Sequence, residues 1–106
     1  MVKVTSKTKD SKEYYKKCSE VFKMLSNPKR LQIMNEIKDK EVTVGEISKA
    51  ISSRKSNTSQ HLAYLRYAGI VVARRSGKNI YYKLADPRII DPFKALTGLK
   101  LNRPLL

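Results

Sequence analysis

Apolar residues recur with a helical period through most of the chain and gather into two β-branched and aromatic runs after Gly69. From Asp10, an N-cap residue type, Tyr14, Cys18, Val21 and Leu25 fall at i, i+4, i+7 and i+11, with Tyr15 and Phe22 flanking the same stripe. This spacing predicts a first amphipathic helix with a broad apolar face. Asn27 before Pro28 predicts a second helix start, because Asn can cap and Pro at the first helical position gives up no needed hydrogen bond. Leu31, Met34 and Ile37 carry that helix, and the polar run 38–41 ends it. Thr43 and Glu46, three residues apart, form a capping box for a short third helix through Val44, Ile47 and Ile51.

Residues 52–55 supply a turn, and Ser56 is expected to cap a fourth helix that stops before Gly69, a residue suited to the left-handed position after a helix. On this helix Thr58, Leu62 and Leu65 share a core-facing side. Ser56, Gln60 and Ala63 point the opposite way, with Ser59 beside them. Two β-branched and aromatic runs, 70–75 and 80–84, flank the turn Ser76-Gly77-Lys78-Asn79, which predicts a β-hairpin. Asp86-Pro87 and Asp91-Pro92 are helix starts. Ile89, Ile90, Phe93 and Leu96 give a short final helix, interrupted before Pro92 and ending near Gly98. The expectation is therefore one mostly α domain over 1–106: four helices, a two-stranded wing and a short C-terminal helix. Residues 1–9 form a mobile basic tail in this reading, and 99–106 a loose one.

Charge narrows the partner. Twenty-three Lys and Arg against nine Asp and Glu leave +14 on 106 residues, which favours a polyanion. No apolar run reaches the length of a membrane span, and the first seventeen residues lack an apolar signal core, so a soluble, cytoplasmic protein is expected. The single Cys18 excludes an intrachain disulfide and a multi-cysteine zinc site. A helix-turn-helix running into a cationic hairpin is a layout for reading duplex DNA. An enzyme is not expected, since no histidine or cysteine dyad, Gly-rich phosphate loop or grouped carboxylates are present.

These residues resemble the arsenic-repressor (ArsR/SmtB) family of winged-helix transcriptional repressors. The resemblance covers about residues 21–90 and rests on LSNPKRLQIM, with the family's Pro-x-Arg-Leu-x-Ile pattern, on TVGEISKAI, on SNTSQHLAYLRYAGIV and on VARRSGKNIYYKLADPRII. It implies a homodimer whose fourth helix enters the major groove, whose wing grips the backbone, and whose first and last helices form the dimer interface. Departures count too. Metal-sensing members carry Cys-x-Cys at the start of the third helix, where this chain has Thr43-Val44-Gly45. Others bind zinc through carboxylates and histidines on the last helix, which here has Asp86 and Asp91 but no histidine. Two carboxylates alone suit hard cations and not a zinc or nickel sensor, and no metal-sensing site and no cofactor are expected. Ser53 and Thr58 stand where the family usually has apolar residues.

Candidate DNA contacts follow. Ser56, Asn57, Ser59 and Gln60 form the reading face, with Gln60 able to pair bidentately with adenine, while Arg54 and Lys55 are placed for phosphate. His61, the only histidine, is assigned to helix packing or phosphate contact, because one histidine is a poor metal site and the resemblance places a histidine here in members that bind no metal through it. Arg74, Arg75, Lys78 and Asn79 are assigned to the wing's grip on backbone or minor groove, against the plainer reading of a charged edge strand. Lys3, Lys7, Lys9 and Lys12 are read as solvated. Tyr14, Tyr15, Cys18, Phe22, Ile89, Ile90 and Phe93 are assigned to the dimer interface. Cys18 is read as a buried inert thiol, with an intersubunit disulfide as its alternative. The partners expected are double-stranded DNA, as an imperfect palindrome, and a second copy of the chain. The alternatives are an architectural nucleoid protein and a winged-helix protein-interaction module.

Overall fold

The computed structural model describes residues 11–98. The expected cap Asp10, the lysines Lys3, Lys7 and Lys9, and the 99–106 tail lie outside them. The chain runs α1 (Ser11–Leu25), α2 (Pro28–Ile37), β1 (Val42–Thr43), α3 (Val44–Ala50), α4 (Lys55–Tyr67), β2 (Val71–Ser76), β3 (Asn79–Leu84), a 3-10 turn (Pro87–Ile90) and α5 (Asp91–Gly98).

Two helix starts form as the sequence predicts. The Asn27 side chain accepts from the N–H groups of Lys29 (2.9 Å) and Arg30 (3.2 Å). At α3, the Glu46 N–H donates to Thr43 Oγ1 (3.2 Å) and the Thr43 N–H to the Glu46 carboxylate (3.0 Å), closing the box. The start of α4 differs from expectation. The helix begins at Lys55 with Arg54 in the cap position, and no side chain caps it. The Arg54 carbonyl already accepts from the Thr58 N–H (3.0 Å), which places Ser56 inside the first turn rather than before it. The far end closes as a Schellman motif: Ile70 N–H donates to Leu65 O (2.9 Å) and Gly69 N–H to Arg66 O (3.0 Å), with Gly69 at φ +79.

The hairpin acquires a third strand that the sequence reading did not assign. Val42 and Thr43 pair with Tyr82 and Tyr81, so the sheet has the order β1-β3-β2. Two residues are too few to display an alternating pattern, and their pairing partners lie far along the chain. β2 and β3 pair from Val71↔Leu84 to Ser76↔Asn79, leaving Gly77-Lys78 as a two-residue loop. Gly77 has φ +62 and Lys78 has no positive φ, the type II′ combination that matches strand twist. Asp86 caps the 3-10 turn through the Arg88 N–H (2.9 Å) and also receives the Arg88 guanidinium. These hydrogen bonds bring its carboxyl down to about 2.

The core lies between α2, α3, α4 and one face of the sheet. Ile33, Met34, Ile37, Ile47, Leu62, Leu65 and Val71 are fully buried there. Thr58 is buried among them, and its hydroxyl accepts from Ser48 Oγ at 2.9 Å, so the polar residue at an ordinarily apolar position is satisfied by the neighbouring helix. α1 stands apart: only its last residue, Leu25, is buried.

Candidate nucleic-acid interface

Burial of Thr58, Leu62 and Leu65 decides which side of α4 meets the core and thereby turns Ser56, Asn57, Ser59, Gln60 and Ala63 into solvent, all of them exposed. The helix start adds to this face. Its first N–H groups meet no side-chain acceptor, its first turn has no acidic residue, and Arg54 and Lys55 stand exposed beside it. A helix N-terminus in that state favours an anion such as a backbone phosphate.

Between α4 and β3 runs a shallow groove of about 410 Å³, lined by Ser59, Leu62, Ala63, Arg66, Tyr67 and Tyr82. The outward face of α4 and the hairpin therefore border one concavity. Arg66 and Tyr67 were not singled out from sequence. The signal was there, since Tyr67 continues the stripe of Ser56, Gln60 and Ala63, and it stands 92% exposed. Arg75, Lys78 and Asn79 are exposed at the hairpin's distal end.

Arg74 is placed differently from its neighbours. Its guanidinium forks onto Glu41, Nε to Oε2 at 2.7 Å and Nη2 to Oε1 at 2.8 Å, and lies 5.0 Å from the Tyr81 ring centroid. The Arg74 hydrogen bond holds the Glu41 carboxyl below its usual range. A phosphate approaching Arg74 must compete with this carboxylate, whereas Arg75 and Lys78 make no ion pair among the described residues. Glu41→Gln is accordingly expected to strengthen duplex binding and to steepen its salt dependence by about one unit of slope per subunit, read from binding isotherms over a range of salt. An unchanged slope would show that Arg74 contributes no phosphate contact.

His61 is half-buried and turned toward α2, where its Nδ1 accepts from Arg30 Nε at 3.2 Å. Burial lowers its pKa, and Arg30 and Lys29 push it further down, so the ring is neutral and carries its proton on Nε2.

The residues assigned to the dimer interface divide into two sets. Tyr15 (68%), Phe22 (65%) and Tyr14 (46%) are exposed on α1, and Cys18 is partly covered. Ile89 and Phe93 are half-buried, while Ile90 sits in the protomer's own core. Leu96, not assigned from sequence to that interface, is 60% exposed on α5.

Residues 27–72 match the family model described as bacterial regulatory protein, arsR family. The uncharacterized HTH-type transcriptional regulator Rv0081 of Mycobacterium tuberculosis is 39% identical over 83 residues, covering 77% of this chain and 73% of that protein. Reduced HlyU from Vibrio cholerae superposes with a TM-score of 0.77 at 30% identity, over 85% of this chain and 98% of that one. The homodimeric winged helix-turn-helix domain Mb0332 of Mycobacterium bovis gives 0.75 at 28% identity, over 82% and 83%. The two-helix turn, the hairpin behind it and these relatives agree, and the chain belongs to the arsR family of winged helix-turn-helix transcription regulators.

Proposed function

We propose that this regulator works as a homodimeric, sequence-reading repressor in the cytoplasm, bound to the nucleoid. Each subunit offers α4 to the major groove of one half of an imperfect palindrome and lays its wing along the adjoining backbone. The observation that carries this reading is the start of α4: an uncapped, cation-flanked helix terminus that opens directly into an exposed polar face. Ser56, Asn57, Ser59 and Gln60 read bases, and Arg54, Lys55, Arg75 and Lys78 hold phosphate. Arg74 joins them when Glu41 releases it, and His61 supports the helix from behind. Bound across a promoter, the dimer represses by occupying it.

The bare apolar side of α1 supports pairing with a second copy, as does the relative whose structure is a homodimer. Transition-metal control is not part of the reading. A zinc, nickel or arsenite site needs several thiolates or imidazoles, and the chain has one cysteine, on α1, and one histidine, on α4 with its Nδ1 already engaged.

Selection of bound sequences from a random duplex pool tests this reading. A two-fold symmetric motif is expected, with half-sites about one helical turn apart, and its complex is expected to survive added zinc, nickel and arsenite at moderate salt. Uniform coating of every duplex would favour an architectural protein, failure to bind duplex at physiological salt an interaction module. Chelator-reversible release by one of the metals would overturn the metal-free reading.

A further inference from the structure

Arg30, in the first turn of α2, was assigned nothing from sequence, yet its side chain joins three helices. Its Nη1 donates to the Met24 carbonyl at 2.9 Å and lies 3.4 Å from the Met24 sulfur. Its Nε donates to His61 Nδ1 at 3.2 Å, and its guanidinium carbon lies 4.7 Å from the Tyr64 ring centroid. The first contact has a cause in the chain itself. The Met24 carbonyl, in the last turn of α1, would ordinarily accept from the N–H four residues on, and that residue is Pro28, which has none. The guanidinium supplies the missing donor. His61 and Tyr64 are one turn apart on α4, so the same planar group grips that helix by a hydrogen bond and by a cation–π contact. The adjacent Lys29 Nζ donates to Ile51 O at 3.2 Å, at the turn leading into α4.

None of these contacts falls on the reading face formed by Ser56, Gln60 and Ala63. They fall on the flank of α4 and bear on how far the helix is rolled about its axis, relative to an α1 whose own hold on the core is Leu25, buried, and Met24, packed beside it. We propose that Arg30 is a positioning residue for base discrimination: by fastening the end of α1 to the flank of α4, it sets the roll at which the reading face meets the bases. The proposal rests on the reading of α4 as the DNA-reading helix. It goes beyond that reading in assigning discrimination, as distinct from affinity, to a group that touches no DNA. A roll error misaligns bidentate base contacts and leaves the phosphate attraction intact.

The test measures affinity for the selected duplex and for a scrambled duplex at one salt concentration. Arg30→Lys keeps the charge and loses the planar fork, and is expected to lower the ratio of the two affinities about tenfold while leaving scrambled binding unchanged. His61→Phe removes the acceptor and keeps the Met24 contact, and is expected to give the same loss. His61→Asn, whose side-chain oxygen can stand where Nδ1 stood, is expected to restore the ratio, and Arg30→Lys combined with His61→Phe should be no worse than either alone. Thermal melts and sedimentation accompany each variant, and where Arg30→Lys melts early the His61 pair carries the comparison. An equal fall for both duplexes, a ratio unchanged in Arg30→Lys, or failure of His61→Asn to outperform His61→Phe would overturn the proposal. A wild-type protein that does not distinguish the duplexes would instead overturn the reading of α4 on which it rests.

Discussion

Phe22→Lys is expected to yield a folded monomer that binds its operator about 10² to 10⁴ times more weakly than the unaltered protein. Phe22 and Tyr15 are 65% and 68% exposed on one side of α1, with Tyr14 and Val21 beside them, a contiguous uncovered apolar strip of the kind that marks an interaction surface. An ammonium in the middle of that strip cannot be buried against a second copy without losing its hydration. The folded protomer should survive, because the core is built mainly from α2, α3, α4 and the sheet, with α1 contributing only its last turn, Leu25 and the partly buried Met24. Lysine is chosen because it adds positive charge, so weakened binding to a polyanion is not an electrostatic artefact. The loss comes from unlinking two half-site contacts that otherwise act at high effective concentration. Sedimentation equilibrium with parallel duplex titration checks both parts. An unaltered protein that sediments as a monomer at micromolar concentration would sink the idea.

Gln60→Ala and Lys78→Ala are expected to fail in different ways. Gln60 lies exposed on the outward face of α4 proposed to read bases, and its amide can donate to and accept from one adenine edge. Its removal is expected to relax one base position in each half-site at about 1 to 3 kcal/mol apiece. Lys78 stands at the tip of the type II′ turn with no ion-pair partner among the described residues, so its loss is expected to weaken every sequence alike and flatten the salt slope by about one unit per subunit. Repeating the duplex selection with each variant separates them. A motif unchanged by Gln60→Ala would remove Gln60 from the reading face.

Local chemistry carried most of the fold into the sequence. Asn27-Pro28, the Thr43/Glu46 box, Gly69 and Gly77 each act within four residues, and each does in the structure what its type and position imply. Arg54 at the start of α4 is the local exception: Ser56 has the better capping chemistry, but the first helical hydrogen bond reaches back to Arg54. What stayed hidden were pairings between residues distant in the chain. Arg74 read as a free wing cation until Glu41, thirty-three positions earlier, was found against it. His61 and Arg30 are thirty-one apart, and β1 exists only because β3 returns beside it. Thr58 looked like a flaw in an apolar face for the same reason, its partner Ser48 lying on the preceding helix. The side of α1 was legible as apolar from its spacing, but periodicity specifies a buried side without saying which chain buries it, so the assignment of that side to a second copy leaned on the family resemblance.

The exposure of α1 bears on how the protein responds to its own abundance. A protomer whose core draws on α1 only at its last turn can fold before it meets a partner, so pairing becomes a separate equilibrium that dilution can undo. When a paired form alone grips the operator, most copies are single and the operator is far from saturated, occupancy follows the square of the protein's concentration. Halving the supply then lowers occupancy about fourfold. Such a promoter would be set by synthesis and proteolysis of the regulator, with the steepness of its response built into the uncovered side of one helix.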